Sequence, residues 1–206
     1  MITETIKNID IELKEKIAEV KSCPLCSLIM DYEFNGLAQI QYEVTHSEKT
    51  RKQIAQEGGF CDFHFRQFKK IASGKTNILL LKAFIEEGSY KKENFTIECR
   101  ICKYINEYEK NLLEAFTDII LSEEKRIEFN RTNGICFVHL RQVNTLIRDE
   151  NTKAWLHRTH IEQIERMKAD FNLMNTINSF YEIDIEKRSL INILIEKIAG
   201  RKTGAL

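Results

Sequence analysis

Proline is almost absent from this sequence: Pro24 stands alone, and only eight glycines accompany it in 206 residues. A chain so poor in both breakers is not assembled from many short strands and turns. Net charge is absent too, with 31 basic residues against 31 acidic ones. That balance argues against a broad electrostatic footprint for nucleic acid or an anionic membrane, while leaving room for a local patch. Long apolar runs are missing. The richest stretch, Ile78 to Ile85, is short and carries Lys82, whereas a membrane span needs about 18 apolar residues. The opening residues mix charge with Ile, Leu and Val and lack the apolar core of a signal peptide. These absences lead to the expectation of a soluble cytoplasmic protein with no membrane association.

What is present is helical periodicity. Hydrophobic residues make up 43% of the chain, enough for a core. In Ile6–Val20, Asn77–Glu87, Ile101–Leu121 and Trp155–Phe180 they recur three and four apart, the period of an amphipathic helix. Strict alternation over strand length does not occur. Breaks are expected at Gly58-Gly59, Ser73-Gly74, Gly88-Ser89 and Asn133-Gly134, which are turn-forming pairs. The expected fold is all-α, with seven to nine helices and short connections.

The sequence also repeats itself. Cys23-Pro24-Leu25-Cys26 is answered 76 residues later by Cys99-Arg100-Ile101-Cys102, and Gly59-Phe60-Cys61-Asp62-Phe63-His64 is answered 75 residues later by Gly134-Ile135-Cys136-Phe137-Val138-His139. The match extends past these motifs. Ile29, Asp31, Tyr32 and Glu33 correspond to Ile105, Glu107, Tyr108 and Glu109, and Arg66-Gln67 corresponds to Arg141-Gln142. An internal duplication predicts a repeat over residues 1–90 with an N-terminal helix and a second over 91–206 with C-terminal helices, packed about a pseudo-two-fold axis.

All six cysteines fall inside these motifs. Disulfide frameworks belong to small exported domains, whereas paired cytosolic cysteines bind metal or carry redox chemistry. Each half supplies C-x-x-C, a spacer of 34 or 33 residues, and C-x-x-H. Two residues between ligands let both side chains reach one ion, and two such pairs complete a tetrahedron. Pro24 suits the first helical position. Cys26 and Cys102 are expected in helix N-terminal turns, where unpaired N–H groups and the macrodipole favour thiolate. His64 and His139 should face the ion one turn beyond Cys61 and Cys136. Three thiolates and a neutral imidazole suit zinc, and four protein ligands make a closed, structural site. An iron–sulfur cluster is less favoured because its cysteines come in tighter runs. Equal spacers favour each half closing its own site as a stapled helical hairpin, Cys23, Cys26, Cys61 and His64 in one, Cys99, Cys102, Cys136 and His139 in the other. Exchange of ligand pairs between the halves stays open.

On these four motifs the chain resembles a family of uncharacterised bacterial and archaeal proteins with CPxC, GFCxxH, CxxC and GxCxxH in that order. The likeness covers most of the chain and departs at Arg100 and Ile135, neither of them a proposed ligand. It implies a helical metal-binding protein and carries over no activity.

Other motifs are weaker. Ser73-Gly74-Lys75-Thr76 looks like the end of a P-loop, but Lys69 stands where another glycine is required. Glu43 and His46 have di-iron spacing, yet the corresponding residues of the second half are Ile119 and Ser122, so a solvated helix face is the better reading. His157 and His160 lie one turn apart beside Trp155 and are read as part of a polar face. Arg66 and Arg141 are candidates to offset the net charge of a zinc–thiolate site, or are plain surface arginines.

The expected function is a non-catalytic zinc-binding scaffold, with two zinc ions per chain, that engages an unidentified protein partner. No nucleophile–base constellation is visible. The alternatives are a thiol-based redox sensor or metalloenzyme and, from Lys69, Lys70 and Lys75, a nucleic-acid adaptor.

Overall fold

The computed structural model describes residues 9–87, 99–174 and 185–200. Every regular element among them is a helix: α1 (Ile9–Glu19), α2 (Pro24–His46), α3 (Glu48–Gln56), α4 (Asp62–Ile71), α5 (Gly74–Glu87), α6 (Arg100–Leu121), α7 (Glu123–Asn130), α8 (Phe137–Leu146), α9 (Glu150–Met174) and α10 (Ile185–Ala199). The all-α expectation holds. The four periodic segments fall on α1, α5, α6 and α9, with positions 6–8 and 175–180 outside the described residues, as is the Gly88-Ser89 break.

Ten helices exceed the expected number because two breaks use serine rather than glycine or proline. Ser47 separates α2 from α3 in an extended conformation, and its hydroxyl accepts the Thr50 N–H. Ser122, also extended, separates α6 from α7. The Ser47 hydroxyl satisfies an orphan N–H at a helix start, whereas Ser122 breaks the run through its extended backbone alone, and neither restart needs a turn dipeptide. Ser73 caps α5 in the same way through Thr76 N–H, which accounts for the P-loop-like tetrapeptide as a helix start.

The chain forms two compact units, residues 29–108 and residues 1–28 with 109–202. They do not follow the 1–90 and 91–206 division, because the unit that opens with residues 1–28 resumes at residue 109. In the first unit α3 packs on α5. Ile54, Phe68 and Leu80 are fully buried, and Phe60 meets Phe68 at a ring separation of 5.3 Å. Tyr32 and Tyr108, at matching positions of the duplicated sequence, stack with centroids 4.0 Å apart and planes 4° from parallel. In the other unit α1 packs on α7, and α10 packs on α8 and α9. Phe116 and Phe129 meet edge to face at 5.4 Å in its core. Arg126 ties α7 to its neighbours, donating to Ile120 O at 2.7 Å and Thr152 Oγ1 at 2.9 Å while lying 4.6 Å over the Trp155 ring.

Candidate metal centres

All four cysteine motifs fold into the same local device. Cys23, Cys61, Cys99 and Cys136 each stand immediately before a helix, and their carbonyls accept the N–H of Ser27, Phe65, Lys103 and Leu140. The second donor of each motif, Cys26, His64, Cys102 or His139, is the third residue of that helix. Four helix N-termini, those of α2, α4, α6 and α8, therefore carry two donors apiece. At Cys136 the sulfur itself acts as cap, accepting the His139 N–H at 3.5 Å. The turns before α4 and α8 need glycine: Gly59 and Gly134 have φ of 87° and 73°, and a Cβ would run into the Phe84 ring or the Gln163 carboxamide.

The donors gather into two groups, but not by halves. Cys23, Cys26, Cys136 and His139 form one cluster, and Cys61, His64, Cys99 and Cys102 form the other. Within each, the four donor atoms lie within 4.8 Å of one another. The favoured within-half pairing is thus corrected to the exchanged one, and the expected stapled hairpins do not form. Residues 27–60, 65–98 and 103–135 are almost equal in length, so chain length separates closures between neighbouring motifs hardly at all, and the extra closure entropy of the 27–135 loop, about 1 kcal/mol, is small enough for helix packing to override. Each cluster lies within one compact unit, the Cys23 cluster in that of residues 1–28 and 109–202 and the Cys61 cluster in residues 29–108.

In the Cys23 cluster, His139 Nδ1 stands 3.3 Å from Cys23 Sγ, 3.4 Å from Cys26 Sγ and 3.3 Å from Cys136 Sγ, and Cys26 and Cys136 sulfurs are 3.7 Å apart. In the Cys61 cluster, His64 Nδ1 stands 3.1 Å from Cys61, 3.4 Å from Cys99 and 3.3 Å from Cys102, with Cys61 and Cys102 again 3.7 Å apart. None of the six cysteines is in a disulfide. The first cluster is buried throughout, whereas Cys61 and Cys102 are half-buried. Each set is able to hold a metal ion, and the chain is a helical protein with two such three-cysteine, one-histidine groups.

Their ionisation shows what the groups require. Burial raises Cys99, but His64 and backbone N–H groups outweigh it and bring the thiol down to about 6. Cys102 is pushed up to about 12, by burial and then by Cys99. Burial disfavours the His64 cation, yet Cys99 and Glu33 hold it at about 10. Cys23 is likewise raised by burial and by its neighbouring thiols, Cys136 is lowered by hydrogen bonds from Cys23 and Cys26, and His139 reaches about 11 against its burial through Cys136 and Cys26. With protons as the only cations, one thiol ionises readily while another is held protonated, and the imidazole is charged. A divalent cation lets all three sulfurs ionise and replaces the proton on Nδ1.

Arg66 and Arg141 do not supply the offsetting charge. Both are exposed, and Arg66 pairs with Asp62 at 3.1 Å. Two helix N-termini meet at each cluster and contribute roughly half a positive charge each, so the backbone supplies positive charge and the plain-surface reading of the arginines is the one that holds. The Cys23 cluster also has Lys197 of α10 nearby, buried to 4% exposure and donating to Asn133 O. Burial lowers its pKa to about 8, with Cys23 and Cys136 pulling the other way.

The remaining candidates separate cleanly. Glu43 takes a hydrogen bond from Gln39 on a helix face, and His46 is exposed against Tyr42. His157 is exposed, as a polar face requires, but His160 is buried, so the polar-face reading holds for the first histidine and is corrected for the second. Sequence reasoning assigned no role to Glu33, Glu109 or Gln142. Glu33 Oε1 lies 3.2 Å from His64 Nε2, Glu109 Oε1 lies 3.6 Å from His139 Nε2, and Gln142 donates to Glu109 at 2.8 Å. Their duplication was the available signal. Helix α2 therefore gives Cys26 to one cluster and Glu33 to the other, and α6 gives Cys102 and Glu109 in the reverse sense.

No family model, curated protein or solved structure matches the chain. Among the described residues, no helix is long and apolar enough to cross a membrane.

Proposed function

We propose that this protein is a zinc-stapled helical scaffold, holding two structural zinc ions and presenting a surface to a protein partner. The observation that carries the zinc reading is the 3.7 Å sulfur separation in both clusters. Tetrahedral zinc with Zn–S bonds near 2.3 Å requires sulfurs about 3.8 Å apart. The irons of a cubane cluster each take one protein ligand, which spreads the ligands much further. Four protein donors leave no open coordination position, which favours a structural ion over a catalytic one. Support for a partner comes from Ile78, Leu81 and Ile85, exposed at 67%, 47% and 70% along one stripe of α5.

Elemental analysis and an absorption spectrum of protein expressed without added metal test this reading. Two zinc per chain and no colour are expected, with loss of helical signal on chelation, because structural zinc is folding free energy. Brown protein containing iron, or unchanged melting after complete metal removal, refutes it. A redox role is favoured only at the half-buried Cys61 and Cys102. Reversible zinc release from that cluster at low peroxide would establish it.

A further inference from the structure

In both clusters the imidazole turns Nδ1 toward the sulfurs, at 3.1 to 3.4 Å. A neutral ring that gives Nδ1 to a metal carries its proton on Nε2. His64 and His139 are buried to 3% and 4% exposure, so each of these N–H groups needs a protein acceptor. The nearby carboxylates are Glu33 and Glu109. Glu33 is itself only 5% exposed, and a buried carboxylate is costly without a donor. The two glutamates occupy matching places in the duplicated sequence, each 31 or 30 residues before the histidine it approaches. Glu109 is steadied in turn by the side-chain amide of Gln142.

We propose that Glu33 and Glu109 are the positioning residues of the two metal centres. Each accepts the Nε2 proton of its histidine, fixing the tautomer and ring plane that present Nδ1 to the ion. The carboxylates lie on the Nε2 side of the ring and are not ligands. At Glu33 the 3.2 Å separation is short enough, but neither Glu33 Oε1 nor His64 Nε2 is hydrogen-bonded as placed, so ring and carboxylate must turn to align; at Glu109 they must close by about half an ångström. The inference deepens the zinc reading and rests on it. Carboxylates that orient metal-bound histidines typically change metal affinity 10- to 100-fold when removed.

The test uses the full chain, with zinc affinity measured by chelator competition and histidine nitrogens followed by long-range ¹⁵N NMR. Wild type is expected to hold two zinc ions with both rings ligating through Nδ1. Glu33→Leu should weaken the Cys61 site, and Glu109→Leu the Cys23 site, by about 10- to 100-fold. Glu33→Gln and Glu109→Gln, which keep an acceptor but lose the charge, should recover part of that loss while the Nε2 proton exchanges faster than in wild type. Ligation through Nε2, unchanged affinity in both leucine variants, or unchanged proton exchange in both glutamine variants overturns the proposal. The glutamine pair decides it if the leucine variants do not fold. Wild-type protein without metal would overturn the zinc reading itself, a separate outcome from a zinc protein indifferent to these glutamates.

Discussion

Cys136→Ser separates the two ways of pairing the ligands. In the exchanged arrangement Cys136 belongs with Cys23 and Cys26, so its loss should free the starts of α2 and α8 and leave those of α4 and α6 intact. The reporters are four backbone amides, each bonded to the carbonyl of a cap cysteine. Ser27 N–H reaches Cys23 O at 3.1 Å and Leu140 N–H reaches Cys136 O at 2.8 Å; Lys103 N–H reaches Cys99 O at 3.1 Å and Phe65 N–H reaches Cys61 O at 2.9 Å. A structural zinc site contributes about 10–16 kcal/mol, or about 3 kcal/mol for each of four ligands. Since about 1.4 kcal/mol is a factor of ten, Ser27 and Leu140 should exchange roughly a hundredfold faster. Lys103 and Phe65 should change little, and one tightly held zinc should remain. Hydrogen exchange read by mass spectrometry, with zinc counted on the same samples, makes the measurement. Loss of protection at Lys103 with Ser27 unaffected would restore within-half pairing and refute the structure's connectivity. Chain entropy adds a second expectation. The Cys23 site encloses residues 27–135, whereas the Cys61 site encloses 65–98, and the longer closure costs about 1 kcal/mol more. The Cys61 site should therefore load first on refolding when the intrinsic affinities are alike.

Two other perturbations test the packing around the sites. His160 is buried to 2% exposure with neither ring nitrogen bonded. Burial, then Lys197 and His157, lower its pKa from 6.5 to about 4, with Cys136 acting in the opposite direction. Its folded-state pKa is depressed, so its contribution to stability is present above about 6.5 and is lost as pH falls toward 4. His160→Phe should flatten denaturant stability over that window and cost little at pH 7; an unchanged pH slope at constant zinc content would show that His160 is not responsible. Gly59→Ala and Gly134→Ala each combine positive φ with a steric collision and should cost about 2 kcal/mol or more. Wild-type midpoints in both would mean these turns tolerate side chains.

The donors were legible because each motif is local. C-x-x-C or C-x-x-H before an amphipathic run fixes a cap residue and a third helical residue, and all four motifs fold that way. Duplication likewise marked Glu33 and Glu109, although spacing alone could not say that a carboxylate on α2 meets a histidine on α4. The serine breaks at Ser47 and Ser122 were hidden because a single extended residue between two helices leaves the hydrophobic period almost undisturbed. The arginines stayed ambiguous for a related reason: duplication preserves surface residues as well as functional ones, and exposure is not written in the repeat.

Pairing was illegible for a deeper reason. Four equivalent helix starts can be joined two by two in several ways, and three near-equal spacers make the local alternatives entropically equal. What selects one closure is which helix termini the packed core brings together, a non-local property. Phe68 and Leu80 in one unit, and Phe116 and Phe129 in the other, belong to cores that cross the boundary of the sequence repeat. The packing that fills those cores brings α4 to α6 and α8 to the start of α2, and the metal sites inherit that choice. A duplicated sequence thus specified its ligands twice, while the cores specified how they were shared.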